Sequence, residues 1–222
     1  MPKNQLIKWL PIKQSNQNTG RLIFHYSSQS SKLPVRNVQK LWDNKADPNI
    51  ETGTYGLFST CMPAIRRRII DLGDRYIFFF TNWNGRRRVT GYYELEGYVE
   101  TGLRCRDRRG VLHFPDFALQ AKKEHFVAEG IFLTGDSLSR VRPILVNENS
   151  LRGYGPRGSQ HTDPKLTSLL KEMLDKQHDV TTGYIEEIRR LEEDNLKRTG
   201  FKYPSWHRSE GFNLEAMGDF IK

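Results

Sequence analysis

DRYIFFFTNWNGRRRVTGYYELEGYVE, residues 74–100, reads as two strands joined by a tight turn. Residues 76–80, YIFFF, are apolar without alternation, as in a strand that is covered on both faces or closed into a barrel. Asn84-Gly85 follows, a dipeptide that tolerates the two positive φ angles of a two-residue hairpin turn. The chain then returns as a partner strand marked by Val89, Tyr93, Leu95 and Val99. Gly91 and Gly97 sit within it, where a bulge or bend is expected. Two glycines in one strand predict strong curvature.

Upstream, TYGLFST at 54–60 has the composition of a strand. Pro63 then stands at a helix start with Ser59 or Thr60 as its cap, and AIRRRIIDL at 64–72 runs to Gly73, a residue that ends helices. Ile65, Ile69 and Leu72 fall four and three apart, which predicts one inward face and leaves Arg66, Arg67 and Arg68 over the remaining surface. Nearer the N-terminus, LIKWLPIK at 6–13 and the alternating Leu22, Ile23, Phe24, His25 and Tyr26 read as strands on either side of a polar loop. Residues 27–54 lack periodicity apart from a short helix around 38–42, and predict a long loop over the core.

Downstream, residues 101–114 predict a short strand pair turning at 107–110, residues 116–125 a helix, and IFLTG at 131–135 a strand. From residue 140 the chain becomes rich in Gly, Pro and Asn, and two amphipathic helices follow. The first carries Leu166, Leu169, Leu170 and Leu174 on one face. The second has a stripe of Ile185, Ile188 and Leu191 that packs on the first helix or on a partner. No βαβ rhythm is present. The expected fold is α+β: a small curved barrel over residues 1–150, a Gly/Pro-rich linker at 151–163, and a helical extension with a tail at 164–222.

Lys and Arg total 35 against 26 Asp and Glu, a formal net charge of +9 that favours polyanionic partners through counterion release. The arginines cluster. Arg66, Arg67, Arg68, Arg86, Arg87, Arg88, Arg104 and Arg106 are the candidate phosphate ligands, with Arg108 and Arg109 nearby, and Trp83, Tyr92, Tyr93 and Tyr98 are interleaved among them. Arginine offers phosphate a planar fork, and aromatic faces stack bases at about 1–3 kcal/mol each. The expected partner is therefore nucleic acid, DNA or RNA. A protein partner or self-association through helices 164–198 is a further expectation. Two cysteines, Cys61 and Cys105, build no disulfide framework and predict an intracellular, cytoplasmic setting. No apolar run reaches the roughly 18 residues of a membrane helix, so no membrane partner is expected.

Ser59, Thr60 and Cys61 precede a predicted helix N-terminus, whose unpaired N–H groups suit an anion or the carbonyl edge of a base. Cys61 and Cys105 with His113 or His125 lack metal-ligand spacing, so neither a metal nor another cofactor is expected. Glu94 and Glu96 lie two apart on one strand face, and Lys122, Lys123, Glu124 and His125 are neighbours. Glu94 with Lys123 is the candidate acid–base pair if the chain is an enzyme.

TCMPAIRRRIIDLGDRYIFFF at 60–80 followed by VTGYYELEGYV, together with DFALQAKKEHFVAEGIFLTGD at 116–136, resembles the nucleotide-modification-associated domains of the PUA-like superfamily, which includes the EVE, ASCH and YTH domains. The resemblance spans roughly residues 20–145. It implies a PUA-like β-barrel whose rim pocket holds a nucleobase, often a modified one. By position that pocket would involve Ser59, Thr60, Cys61, Asn82, Trp83, Tyr92 and Tyr93, with Trp42 as a further aromatic candidate. The leading expectation is a binding module for a modified base; the alternative is an enzyme acting on modified nucleotides or nucleic acid, such as a hydrolase or a restriction–modification component.

Overall fold

The computed structural model of the chain describes residues 10–13, 17–38, 48–51, 53–57, 67–100, 117–132 and 159–200. Its strands are β1 (Leu10–Pro11), β2 (Gly20–Phe24), β3 (Thr54–Leu57), β4 (Tyr76–Trp83), β5 (Arg86–Glu100), β6 (Phe117–Phe132) and β7 (Ser159–Thr162). One turn of π-helix spans Arg67–Asp71, and two α-helices follow the strands, α1 (Pro164–Asp175) and α2 (Thr181–Thr199). The strands form one curled mixed sheet, a half-barrel, in the order β3-β6-β5-β4-β2-β7, with β1 also paired to β5. Together with the helices this is an α+β fold. Among the described residues no helix is long and apolar enough to cross a membrane.

The sheet is built on the β4–β5 hairpin. Asn84 and Gly85 both take positive φ, 50° and 72°, and register runs from Trp83↔Arg86 inward. It slips between Phe79 and Phe80, so that Thr90 is passed over between the pairs Phe80↔Val89 and Phe79↔Gly91. On its other side β5 meets β6 with a larger irregularity at the same level: Val89 pairs with Ile131 and Gly91 with Phe126, leaving residues 127–130 opposite Thr90 alone. Gly91 is required here, since a Cβ would fall 2.4 Å from the Phe126 ring and 2.5 Å from the His125 carbonyl oxygen.

Both faces of β4 are buried, because alternate side chains feed separate cores. On the α2 face Ile77, Phe79, Tyr93, Leu95, Leu119 and Phe126 pack with Tyr184, Ile188 and Leu191 of α2, and with Val35, Ile50, Ile69 and Ile70. On the opposite, α1 face Tyr76, Phe78, Phe80, Val89 and Tyr92 pack with Leu166, Leu170 and Leu174 of α1. The helices are fastened by polar contacts as well: Tyr92 donates to Asp175 Oδ1 at 2.6 Å, His125 Nε2 donates to the Leu174 carbonyl at 2.9 Å, and Tyr184 donates to the Val127 carbonyl at 3.1 Å.

Four expectations are corrected. Of the helix expected at 116–125, residues 117–125 are part of β6: Ala, Lys and Glu favour helix in isolation, but Leu119 and Ala121 are buried alternately, and the strand's backbone is paired with β3 on one side and β5 on the other. The helix expected at 64–72 is, within the described residues, a single π turn. Its wider spacing turns adjacent Ile69 and Ile70 inward and leaves Leu72 exposed, where Leu72 was expected to face the core. Residues 159–162 of the expected linker form β7, antiparallel to β2. The apolar stripe of α2 packs on the sheet of its own chain and not on α1. The short strand pair expected at 101–114 and residues 39–42 of the short helix expected around 38–42 lie outside the described residues.

Gly91→Ala is expected to lower the unfolding free energy by about 1–3 kcal/mol through overpacking against Phe126, measured as a drop in denaturant midpoint. Gly85→Ala, where a Cβ meets nothing within 4 Å, is expected to act only through its φ and to cost about 1 kcal/mol.

Candidate nucleic-acid interface

The hairpin end presents the most accessible arginines of the described sheet. Asn82, Asn84, Gly85 and Arg86 are exposed, and Arg87 and Arg88 are half-buried. Register sets Arg86 across from Trp83, Arg87 from Asn82 and Arg88 from Thr81, so successive arginines leave alternate faces of the strand. Arg88 Nη1 donates to the Glu129 carbonyl at 2.8 Å. Ser27 donates to the Asn82 carbonyl at 2.8 Å and ties the hairpin to the loop after β2. Trp83 is only 8% exposed, so its ring serves first as packing at this end of the sheet.

The arginines of the π turn divide. Arg67 is exposed and has no ion-pair partner among the described residues. Arg68 contacts fully buried Asp74, Nη2 to Oδ1 at 3.1 Å, and its Nη2 lies 3.0 and 3.2 Å from the ring nitrogens of His161 on β7. Thr19 donates to the same Asp74 oxygen at 2.6 Å. Burial, then the Arg68 cation, holds the His161 imidazole below its usual range. Arg68 is thus the counter-ion of a buried carboxylate, a duty that competes with phosphate binding.

Tyr92 and Tyr93 are not brought together. Neighbours on a strand point to opposite faces: Tyr93 sits edge-on to Phe79 at 4.8 Å in the α2-face core, and Tyr92 stacks on His125 at 5.6 Å in the α1-face core. Burial, then the bond to Asp175, pushes the Tyr92 hydroxyl well above its usual range. Glu94 and Lys123 are opposite each other in register, yet each has another engagement. Glu94 Oε1 accepts from Arg75 Nε at 3.1 Å and Nη2 at 2.5 Å. Lys123 stands 5.9 Å from the Tyr92 ring centre and 4.0 Å from Asp175, which is also paired with Lys171. The Arg75–Glu94 pair joins the start of β4 to β5, and Lys123 and Tyr92 tie Asp175 of α1 to the sheet. Ser59, Thr60, Cys61, Arg66, Arg104 and Arg106, with Trp42, lie outside the described residues.

The α2 face carries polar groups near Trp83 that sequence reasoning missed. His25 follows β2, and its backbone N–H donates to the Phe80 carbonyl at 2.9 Å, which brings it alongside Thr81. Its Nε2 lies 3.3 Å from the Thr90 hydroxyl. His25 Nδ1 and Thr81 Oγ1 are both buried and meet no hydrogen-bond partner among the described residues. A buried polar atom left without a partner costs about 1–3 kcal/mol. Burial pushes the His25 imidazole down to about 4, against a weaker upward pull from the Tyr26 backbone, so the ring is neutral at neutral pH. A lone histidine in an alternating strand has no signal that separates it from ordinary strand residues. Among the described residues no three His, Cys, Asp or Glu side chains are grouped so as to hold a metal ion. No protein-family model, characterised protein or solved structure matches the chain.

Two outcomes test this geometry. Arg68→Ala is expected to destabilise the fold by about 3 kcal/mol by stranding the Asp74 charge, while Arg67→Ala leaves the thermal midpoint within about a degree. Because His25 titrates at about 4 when folded and near 6.5 when unfolded, its contribution is complete above pH 6.5 and is lost as the pH falls towards 4. The loss amounts to about 3 kcal/mol. Unfolding titrations of the protein and of His25→Gln over that window should show a steep slope in the first and a shallower one in the second; equal slopes would refute the assignment.

Proposed function

We propose that the chain is a nucleic-acid-binding module of PUA-like type. Arginines of the β4–β5 hairpin hold phosphates, and an unpaired or flipped base, preferentially a modified one, is taken up at the same end of the sheet. The observation that carries this reading is the hairpin end itself, where Arg86, Arg87 and Arg88 fan to both sides of a strand beside the exposed Asn82 and Asn84. A net charge of +9 supports it, since each phosphate neutralised releases counterions. The orphan atoms of His25 and Thr81, on the same face as Trp83, support the base contact: a base edge carrying one donor and one acceptor would satisfy both. Exposed Arg67 would add a more distant phosphate contact at the other end of β4.

Anisotropy titrations of labelled single strands over a range of salt concentrations test the reading. Affinity is expected to fall steeply with salt. The double substitution Arg86→Ala/Arg87→Ala is expected to make the slope of log affinity against log salt shallower by about 0.7 for each phosphate no longer neutralised. Absent or salt-independent binding would refute the reading. Equal affinity for strands with plain and modified bases would remove the modification preference and leave the phosphate grip.

A further inference from the structure

Residues 127–130 bulge from β6 as four residues against Thr90 alone, and the bulge is held firmly. The Phe126 carbonyl accepts from Val180 N at 2.8 Å, Phe126 N donates to Thr181 Oγ1 at 3.1 Å, and Tyr184 donates to the Val127 carbonyl at 3.1 Å. Between this bulge and the connection from α1 to α2 lies a cleft of about 360 Å³. Ala128 and Val180 supply apolar wall, and Arg88, Glu129, Gln177 and His178 supply polar groups. Bulges of this kind re-aim side chains beside binding sites, and the volume is at the small end of ligand pockets. It has room for one nucleotide.

The cleft holds one cation, Arg88, whose Nη1 donates to the Glu129 carbonyl at 2.8 Å, and one carboxylate, Glu129. The Arg88 side chain is 14% exposed, so its cation acts through protein more than through water, and it approaches the Glu129 carboxylate at 4.0 Å. That carboxylate is 86% exposed and can swing away. A planar guanidinium with an imidazole and an amide at the rim suits a phosphate monoester, which brings three acceptor oxygens and close to two charges near neutral pH. Arg86, two residues before Arg88, leaves the same face of β5, so a nucleic-acid strand held there would lead to the cleft.

We propose that the cleft between the β6 bulge and the α1–α2 connection binds a nucleoside monophosphate group, as the phosphorylated end of the strand gripped by the hairpin, with Arg88 and His178 on the phosphate. The assignment to a strand end rests on the nucleic-acid reading above; the assignment to a nucleotide phosphate does not.

The full chain is titrated with adenosine monophosphate, inorganic phosphate and adenosine while the amide signals of Gly130 and His178 are followed by NMR, and oligonucleotides with and without a terminal phosphate are compared by anisotropy. The monophosphate is expected to shift both signals and adenosine to shift neither. Glu129→Gln, which removes a competing anion at an exposed position, is expected to tighten monophosphate binding about two- to fivefold, and His178→Ala to weaken it by a similar factor. End-phosphorylated strands are expected to bind more tightly than hydroxyl-ended ones. Unmoved signals at millimolar monophosphate, or no tightening by Glu129→Gln in a folded protein, would overturn the cleft assignment. Monophosphate binding with equal affinity for both kinds of strand end would overturn the strand-end assignment. Monophosphate binding with no oligonucleotide binding at all would overturn the nucleic-acid reading and leave a site for free nucleotides.

Discussion

The structure depends on a strand that is apolar on both faces. β4 sends Tyr76, Phe78 and Phe80 one way and Ile77 and Phe79 the other, and all five are at most 3% exposed. Neither face can be left to water. A fully buried aliphatic or aromatic side chain contributes about 1.5–3 kcal/mol, so α1 and α2, which complete the two cores, belong to the folding unit of the sheet.

The second constraint is concentrated at Thr90. Here β5 slips against β4 on one side and faces the four-residue bulge of β6 on the other. The same irregularity therefore shapes both polar features of this end of the molecule. Thr90 Oγ1 lies beside His25 Nε2 on the α2 face, and the bulge makes one wall of the cleft that contains Arg88. A regular ladder would leave neither arrangement in place, since its side chains would continue to alternate without a cleft between sheet and connection.

Part of the basic charge of the chain is engaged within the fold. Arg36, 3% exposed, joins Glu51 and Glu192 at 2.8 Å each and fastens two loops to α2. Arg68 neutralises Asp74, and Arg75 binds Glu94. These cations stabilise the fold locally. Of the described candidate phosphate ligands, Arg67 and Arg86 are the exposed ones, so position in the fold, and not the arginine count, sorts structural cations from candidate ligands.

Local patterns revealed part of this. The Asn84-Gly85 turn, the apolar β4, the bulge at Gly91 and the inward Leu166, Leu170 and Leu174 of α1 were legible because each depends on φ preference or periodicity over a few residues. β6 was not, because residues 117–125 favour helix by propensity and become strand only through backbone pairing on both edges. The candidate site divides in the same way. The arginine triplet at 86–88 is visible as composition, but whether each guanidinium meets solvent, a carbonyl or a carboxylate depends on strands distant in sequence. Tyr92 and Tyr93 look like one aromatic pair in the chain and are separated by the sheet, while His25, Thr81 and Thr90, up to 65 residues apart, become neighbours only when β2 lies parallel to β4. By itself the sequence determined the hairpin, the amphipathic helices and the excess of cations, all of which follow from near-neighbour chemistry. Only the tertiary structure decided which polar atoms are buried without partners and where a cleft opens, because those depend on long-range strand register and on which helix covers which face.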